Sequence, residues 1–420
     1  MSIDQAKKLQ PRASVPAEVI RGPFDPGGQP SLERDHPLHV SLFAWNVRSG
    51  LAATKAVLTD EGRYADQWAW PASRELLRTA ERVGFDSQLQ YGMWSGYGGA
   101  TNWNGAGLDF ATGAAASAAV TDRLGLFTTV HVGYDFHPLL VAKLTAATDH
   151  VSGGRLGVNI VAAYDLADYA QFGFGFGTER DPDADERGIT RSSAERYAMA
   201  DEFCTLLKYL WTSAEPVDFE GKYFQAYGAQ VNPRPTSSPR PLLMSAASSD
   251  LGIDFAARQC DAIFIAGLQS GGHDSDAVKA SYATTAAKVR AAAASHDRQV
   301  RICGMCFVVM DETDEKAAAT MAWLEQEIDV AAVQNLYSRY RGVPSEALDA
   351  QVNENWVRNL GLGISGRQIV GSYETVANEL ADLYEAGVEH VAMCFWDPAR
   401  SVEAFGTHVM PLLKERGLRH

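Results

Sequence analysis

Strand-like and helix-like segments alternate along almost the whole chain, and this alternation most constrains the fold. Apolar runs of strand length, such as "LHVSLFAW" (38–45) and "LGLFTTVHV" (124–132), are followed by stretches of helical periodicity, such as "PASRELLRTAERVG" (71–84). Parallel strands need a helical crossover between them, so β/α alternation at this spacing implies a parallel sheet. About eight such units can be counted. Eight units favour a closed (β/α)8 barrel, with a doubly wound open sheet as the alternative.

The two ends of this pattern suggest a simple domain organisation. Residues 1–36 are polar and rich in Pro and Gly, as in "RGPFDPGGQP". They are predicted to form an extended arm that is either disordered or wrapped over a neighbouring surface, and residues 37–420 a single barrel domain. Two segments, at about 164–190 and about 311–368, exceed normal connection lengths. In a barrel such insertions after strands lie at the C-terminal face, where active sites form.

Charge and cysteine usage exclude several classes of protein. The net charge of −15 has no compensating Lys/Arg cluster, which argues against a nucleic-acid partner. The five cysteines are scattered and odd in number, so they do not form a disulfide framework, and "CGMC" (303–306) lies in an apolar run typical of buried structural thiols. No residues have metal-ligand spacing. Without a signal peptide or an apolar run of membrane-spanning length, a cytoplasmic enzyme is expected, with no membrane partner.

Polar residues at strand ends are the candidate catalytic groups. Asn159 interrupts the buried strand "LGVNIVAA" (156–163), where an amide without a partner would be costly. Thr129 ends the third strand, and His131 and His137 flank that end. Each histidine is either a catalytic group or a hydrogen-bonded structural residue.

A second group of polar residues indicates an anion site. Ser248 and Ser249 open a helix directly after a strand, and Arg196 and Tyr197 lie in the first turns of another helix. Free N–H groups at a helix start and a guanidinium both favour phosphate, so a phosphate-bearing ligand is expected here.

Aromatic side chains flank two glycine-rich loops. The loops "SGYGGATNWNGAG" (95–107) and "GFGFG" (173–177) lack the strand-before, helix-after context of a dinucleotide fingerprint. They are predicted to be mobile loops that close over a substrate, with plain surface loops as the alternative. The predicted substrate pocket comprises Trp94, Tyr97, Trp103, Tyr164, Phe172 and Phe174.

Several segments resemble the bacterial-luciferase-like flavin monooxygenases. They are "DHVSGGRLGVNIV" (149–161), "ERYAMADEFCTLLKYLWT" (195–212), "VDFEGKYFQ" (217–225) and "GSYETVANELADLYEAGVEHVAM" (371–393), in matching order over about residues 38–415. The resemblance is greatest to the branch that holds pyrimidine oxygenase and dimethylsulfone monooxygenase.

The resemblance implies a (β/α)8 barrel, reduced FMN supplied by a separate flavin reductase, and a homodimer or homotetramer. It also implies O2 activation through a flavin peroxide at C4a or N5. The enzyme would oxygenate or cleave a small ring compound, such as an N-heterocycle, a flavin-like ring or a haloaromatic, or else a sulfone. The alternatives are a riboflavin-degrading lyase of the same family, a deazaflavin (F420-type) oxidoreductase, and a non-catalytic flavin-binding protein.

Residue by residue, the resemblance implies that Thr129 and Asn159 flank the flavin N5 side and an O2 pocket, where they would polarise oxygen. From their position at the strand end, His131 or His137 is expected to handle a proton. Gly92–Met93 and "VAAY" (161–164) stand where the branch tends to have Ile-Lys and "VTGW". Both departures fall on the substrate side, so the resemblance does not by itself assign a pyrimidine substrate. The implied FMN contacts are Gly92, Met93, Thr129, Asn159, Asp168, Arg196, Tyr197 and Ser249, and the helix start adds Ser248 to the predicted cofactor site.

Overall fold

In the computed structural model, eight parallel strands close into a barrel, as the alternation predicted. Closure is complete because the last strand pairs with the first (His390 with His39), which excludes the open sheet. The structure describes residues 13–14, 24–33, 35–59, 64–134, 136–163, 165–172, 192–265, 275–341 and 354–420. The barrel strands are β1 (His39–Phe43), β2 (Ser87–Leu89), β3 (Gly125–Val132), β4 (Leu156–Ala162), β5 (Leu242–Ala246), β6 (Ala262–Ile265), β7 (Arg301–Asp311) and β8 (His390–Cys394).

Helices surround the barrel and have recognisable start and stop signals. Ser192 and Glu195 form a capping box at the start of the helix that follows β4. Gly153, at φ 71°, ends the helix before β4 in the left-handed conformation that glycine tolerates. The helices are Trp70–Arg82, Phe110–Val120, Pro138–Ser152, Leu166–Gln171, Ser193–Thr212, Asp250–Gln259, Ser275–Ser295, Asp314–Gln326, Val330–Arg341, Glu354–Gly361, Tyr373–Glu385, Pro398–Ala404 and Met410–Glu415.

The strands separate two apolar layers because their side chains alternate between faces. In β3, Val130 and Val132 belong to the core under the helices, whereas Phe127 belongs to the cluster inside the barrel. The same alternation places Cys306 in the outer core and Cys303 in the interior cluster. The two thiols of "CGMC" therefore lie on opposite faces of β7, and both are buried and free.

Two β features were not expected from the sequence. Val217–Glu220 and Gln225–Ala229 form an antiparallel hairpin, and Ala13–Ser14 of the arm adds a parallel strand to it. A further strand, Arg367–Ser372, pairs with the C-terminal half of β7. This strand begins at the end of the second long insertion, at about 311–368.

The arm also contacts the barrel at the N-terminal ends of its strands. Asp25 forms ion pairs with Arg240, which precedes β5, and with Arg298, which precedes β7. Arg301 donates to the carbonyl of Leu32 at 2.9 Å. In the described part of the chain, no helix is both long and apolar enough to cross a membrane.

Candidate active site

A cavity of about 290 Å³ opens at the C-terminal ends of β2 and β3. In a (β/α)8 barrel this is the face at which active sites form, because the strands deliver their last residues to it. Its wall comes from the segments after β1 and β2 and from the last inward-facing residues of β3. The lining residues are Asn46, Val47, Gln90, Tyr91, Gly92, Met93, Trp94, Asn104, Gly105, Ala106, Gly107, Leu108, Asp109, Phe110, Thr129 and His131.

Asn159 lies beside Thr129, opposite it in the register between β3 and β4. The Thr129 hydroxyl donates its proton to the carbonyl of Gln90 at 2.6 Å, and Asn159 Nδ2 donates to Thr129 Oγ1 at 3.1 Å. Because the threonine proton is already used, the amide nitrogen must face the hydroxyl, which fixes the orientation of the amide. Asn159 Oδ1 is then a buried acceptor without a hydrogen-bond partner among the described residues.

His131 is the next inward-facing residue of β3 after Thr129, and both pack against the backbone of Gly92. A Cβ on Gly92 would lie 2.5 Å from His131 Cε1 and 2.7 Å from Thr129 Cγ2, so only glycine fits there. Burial lowers the pKa of His131 to about 4. The imidazole is therefore neutral near pH 7 and can exchange hydrogen bonds but cannot act as a cationic acid.

His137 is engaged in hydrogen bonds outside the cavity wall. Its Nδ1 accepts from the backbone N–H of Leu139 at 3.1 Å, and its Nε2 lies 2.9 Å from the carbonyl oxygen of Gln225. These contacts start the helix Pro138–Ser152 and tie it to the hairpin. Both ring nitrogens are used, which favours the structural alternative for this residue.

Asp168 lies in the short helix after β4, where it holds the loop that follows β2. Its Oδ1 accepts from Ser95 Oγ at 2.7 Å, and the hydroxyl of Tyr134 lies 3.4 Å from Oδ2. Burial raises the pKa of Asp168 to about 6. From the second insertion, Arg339 donates to the carbonyls of Ser95 and Gly96 at 3.0 and 2.6 Å. The loop is thus fastened from two sides.

The predicted aromatic pocket divides into two parts. Trp94 lines the cavity, is 37% exposed and packs edge-to-face on Phe172 with ring centroids 5.1 Å apart. Tyr97 and Trp103 instead belong to a separate buried cluster with the helix Val330–Arg341, away from the cavity wall. Tyr164 and Phe174 lie outside the described residues.

Three of the predicted anion-binding residues, Tyr197, Ser248 and Ser249, lie at the start of the helix Asp250–Gln259. Ser249 caps this helix by accepting from the N–H of Gly252 at 3.1 Å, and Ser248 is exposed beside it. A Cβ on Gly252 would lie 2.6 Å from the Tyr197 hydroxyl, so that hydroxyl reaches the first helical turn. Arg196 donates to the carbonyl of Ala163, just after β4, at 3.1 Å. Its buried Nε has no partner among the residues described.

Most of the cavity wall was not predicted from the sequence, and Gln90, Asn104 and Phe110 are three examples. Gln90 supplies the carbonyl for Thr129, and its side-chain Oε1 accepts from the Thr128 hydroxyl at 2.6 Å. Asn104 and Phe110 come from the loop after β2 and the helix that follows it. For Gln90 there was a signal, since it is a polar residue near the end of the strand-like segment "FDSQLQYG" (85–92). The positions of Asn104 and Phe110 could not be predicted, because they depend on how the loop after β2 folds back over the barrel.

Comparisons with known proteins agree with this architecture. Residues 52–390 match the sequence model of the luciferase-like monooxygenases. The chain is 30% identical over 345 residues to pyrimidine monooxygenase RutA of Stutzerimonas stutzeri, covering 82% of this chain and 89% of that protein. It is 31% identical over 357 residues to pyrimidine monooxygenase RutA of Caulobacter vibrioides, covering 82% and 91%.

Solved structures share the fold at low identity. The crystal structure of riboflavin lyase RcaE, with modified FMN and riboflavin, matches with a TM-score of 0.76 at 21% identity, over 91% of this chain and 92% of that one. Long-chain alkane monooxygenase LadA matches with a TM-score of 0.74 at 20% identity, over 91% and 92%. An F420-dependent secondary alcohol dehydrogenase matches with a TM-score of 0.62 at 16% identity, over 89% and 99%.

Proposed function

Because the chain belongs to the luciferase-like monooxygenase family, we propose that this flavin-dependent monooxygenase takes reduced FMN from a separate flavin reductase and oxygenates a small ring compound. The observation that carries the proposal is the Thr129–Asn159 pair. It places an unsatisfied buried acceptor inside the mouth of the barrel, next to a cavity of ligand size. An unsatisfied buried polar atom costs stability, and such atoms in a native protein commonly mark a ligand site.

The residues present fit FMN at both of its ends. The phosphate would meet Arg196, Tyr197, Ser248 and Ser249 at the start of the helix Asp250–Gln259, where the helix N–H groups favour an anion. The ring edge would meet Asn159 Oδ1, which can accept from a ring N–H. The two unsatisfied atoms, Asn159 Oδ1 and Arg196 Nε, are the places at which a bound cofactor would complete the hydrogen bonding. When bound, FMN supplies the electrons and the site of O2 activation.

The chain's own side chains would orient and shield the reaction. The remaining N–H of Asn159 Nδ2 is a donor available to bound O2, since its other proton goes to Thr129. The neutral His131 can offer one further N–H on the same face of the sheet. Met93, Trp94 and Phe110 cover the cavity with apolar surface, which would exclude water from the reacting atoms.

The size and lining of the cavity support a small, flat substrate. A cavity of about 290 Å³ is at the low end of ligand pockets, which span roughly 300–1,000 Å³. Tyr91, Trp94 and Phe110 supply aromatic surface to it. Relatives at 30–31% identity are named pyrimidine monooxygenases. In the sequence resemblance, however, Gly92 and Met93 stand where that branch tends to have Ile-Lys. We therefore propose a ring substrate without assigning a pyrimidine.

The test is turnover with FMN, NADH, a flavin reductase, ¹⁸O₂ and a panel of ring compounds. We expect one product heavier by one labelled oxygen, and tighter binding of FMN than of deazaflavin. Thr129→Ala and Asn159→Ala should still bind FMN but release hydrogen peroxide in place of product. Thr128→Ala is the matched control, because Thr128 lies on the opposite face of β3 and bonds Gln90 and the Phe110 carbonyl. Equal loss of coupling in Thr128→Ala and Thr129→Ala would contradict the proposed site.

A further inference from the structure

The helix Val330–Arg341, which belongs to the second insertion, lies along the loop after β2. Asp329, which precedes the helix, accepts from the backbone N–H and the hydroxyl of Thr101 at 2.7 and 2.9 Å. Asn335 donates to the carbonyl of Tyr97 at 2.8 Å. No described residue of this helix lines the cavity, whereas the loop supplies several residues of its wall. As the helix advances, its contacts move back along the loop towards the end of β2.

Arg339, one turn beyond Asn335, contacts the first residues of the loop. Its guanidinium donates to the carbonyls of Ser95 and Gly96 at 3.0 and 2.6 Å, and Nη1 lies 2.9 Å from Ser95 Oγ. It also lies over the ring of Tyr97, 5.1 Å from the centroid. The planar fork of a guanidinium can reach several acceptors at once, which the single ammonium of a lysine cannot do. The side chain is 21% exposed, so these contacts are largely shielded from solvent.

Asp168 holds the same residues from the other side. Its Oδ1 accepts from the Ser95 hydroxyl at 2.7 Å, and the backbone N–H groups of Trp94 and Ser95 donate to its carboxylate. Because the Ser95 hydroxyl gives its one proton to Asp168, it can only accept from Arg339. One hydroxyl thus joins a cation to an anion, and charge-assisted bonds of this kind are roughly twice as strong as neutral ones. Residues 94–96 are therefore held between two elements that are distant in sequence.

These contacts fix the backbone of a residue that lines the cavity. The indole of Trp94 forms part of the wall and packs on Phe136 and Phe172, with ring centroids 5.6 and 5.1 Å apart. Phe172 directly follows the short helix that carries Asp168. The backbone and the indole of Trp94 both depend on this helix, and Arg339 keeps the loop against it. The position of this part of the wall is thus decided by side chains behind it.

We propose that Arg339 is a positioning residue, which together with Asp168 holds residues 94–96 so that the Trp94 indole is a fixed wall of the substrate cavity. This inference rests on the proposed function, which makes the cavity the substrate site. Arg339 would affect substrate binding without touching the substrate. The start of the loop would be a preformed surface rather than a lid that closes on the substrate, which lowers the ordering cost of binding.

The first test measures hydrogen–deuterium exchange of the full-length protein by mass spectrometry. In Arg339→Ala we expect the amides of residues 93–97 to exchange at least about tenfold faster than in the wild type, because local opening of the loop becomes less costly. A peptide from β1 should keep its wild-type rates and thereby show that the whole fold is intact. Wild-type rates at residues 93–97 in Arg339→Ala would overturn the proposal.

Arg358→Ala is the matched control for this measurement. Arg358 belongs to the same insertion, its side chain is 27% exposed, and it pairs with Glu325 at 3.5 Å. We expect wild-type exchange at residues 93–97 in this variant, and an equal acceleration in Arg358→Ala and Arg339→Ala would overturn the specific role of Arg339.

Arg339→Lys keeps the charge without the fork, so its residues 93–97 should exchange as fast as those of Arg339→Ala. This variant also carries the same test if the alanine variant does not fold. Wild-type rates in Arg339→Lys would overturn the role of the guanidinium fork.

The second test reports on the indole itself through quenching of tryptophan fluorescence by acrylamide. We expect Arg339→Ala to increase the quenching of the wild type, and the same substitution made in Trp94→Phe to cause no increase. Trp103 belongs to the same loop and is buried, so a general loosening would also raise quenching in the Trp94→Phe background. An equal rise in both backgrounds would overturn the assignment to Trp94.

Turnover separates this inference from the proposed function. With any ring compound that yields labelled product, Arg339→Ala should raise KM by about five- to tenfold and change kcat by less than about twofold, because the indole would contact the ring and not the reacting atoms. A lower kcat at unchanged KM would contradict the positioning role. Exchange and quenching need no turnover, so a failure of every ring compound to yield product would count only against the monooxygenase proposal.

Discussion

Replacing Asp25 by Asn tests whether the arm is held by buried charge. The Asp25 carboxylate accepts from Arg240 Nε at 2.7 Å, pairs with Arg298, and lies 3.4 Å from Lys208 Nζ. The side chains of Arg240 and Lys208 are fully buried, and that of Asp25 is 10% exposed. The other carboxylate of this cluster is Asp261, which bonds both arginines. The Asp25→Asn substitution would therefore leave three cations with one carboxylate.

The expected cost follows from that imbalance. Removing one partner of a buried ion pair destabilises a protein by about 3–5 kcal/mol, because the remaining charge stays desolvated. Asp25 keeps some contact with solvent, so we expect Asp25→Asn to lose about 3 kcal/mol of unfolding free energy at pH 7. Asp35→Asn is the control, since Asp35 is an exposed acid of the same arm and should change stability by less than about 0.5 kcal/mol.

The pH dependence of the unfolding free energy distinguishes an effect of buried charge from an effect of packing. Burial lowers the pKa of Lys208 from 10.5 to about 8. Between these values the unfolded chain holds the proton that the folded protein releases, so stability rises with pH from about 8 to about 10.5. Deprotonation of Lys208 removes one of the three cations, so the cost of Asp25→Asn should be smaller at pH 9.5 than at pH 7.

Urea denaturation of the wild type, Asp25→Asn, Asp35→Asn and the double variant Asp25→Asn/Lys208→Met at both pH values measures these quantities. We expect the double variant to recover part of the loss, because it removes the excess cation. Two results would refute the role of buried charge. One is a loss of unfolding free energy in Asp25→Asn that is no larger than in Asp35→Asn, and the other is a loss that is the same at pH 7 and pH 9.5.

Three other predictions concern the site itself. Arg196→Ala should weaken FMN binding by about 1.5–3 kcal/mol, the scale of a charge-assisted bond, and leave riboflavin affinity unchanged; equal losses in a fluorescence titration would argue against the phosphate site. Gly92→Ala should cost about 1–3 kcal/mol in thermal unfolding, because its Cβ would collide with His131 and Thr129. Asp168→Asn should remove a pH dependence of the unfolding free energy. Burial raises the pKa of Asp168 in the folded protein from 3.8 to about 6, so the wild type loses stability as the pH rises between these two values. The variant should be the more stable protein at pH 7 in urea denaturation, and a less stable variant would contradict this.

The barrel could be predicted from the sequence because its signals are local. Strand length, helical periodicity and caps such as Gly153 depend on neighbouring residues. The helix predicted at 71–84, for example, is observed at Trp70–Arg82. The family resemblance rested on short continuous segments for the same reason. The strand Arg367–Ser372 was missed, because it is defined by its pairing with β7 rather than by its own pattern.

The site depended on contacts between distant residues. Thr129 and Asn159 were identified in the sequence, but only the register of β3 with β4 shows that one donates to the other and leaves Oδ1 as an acceptor. Similarly, the loop after β2 has the glycines of a mobile segment, yet Arg339, more than two hundred residues later, holds its carbonyls. Local composition reports the conformations that a segment can adopt. Contacts with residues distant in sequence, which the closed barrel brings together, decide which of these conformations the segment adopts.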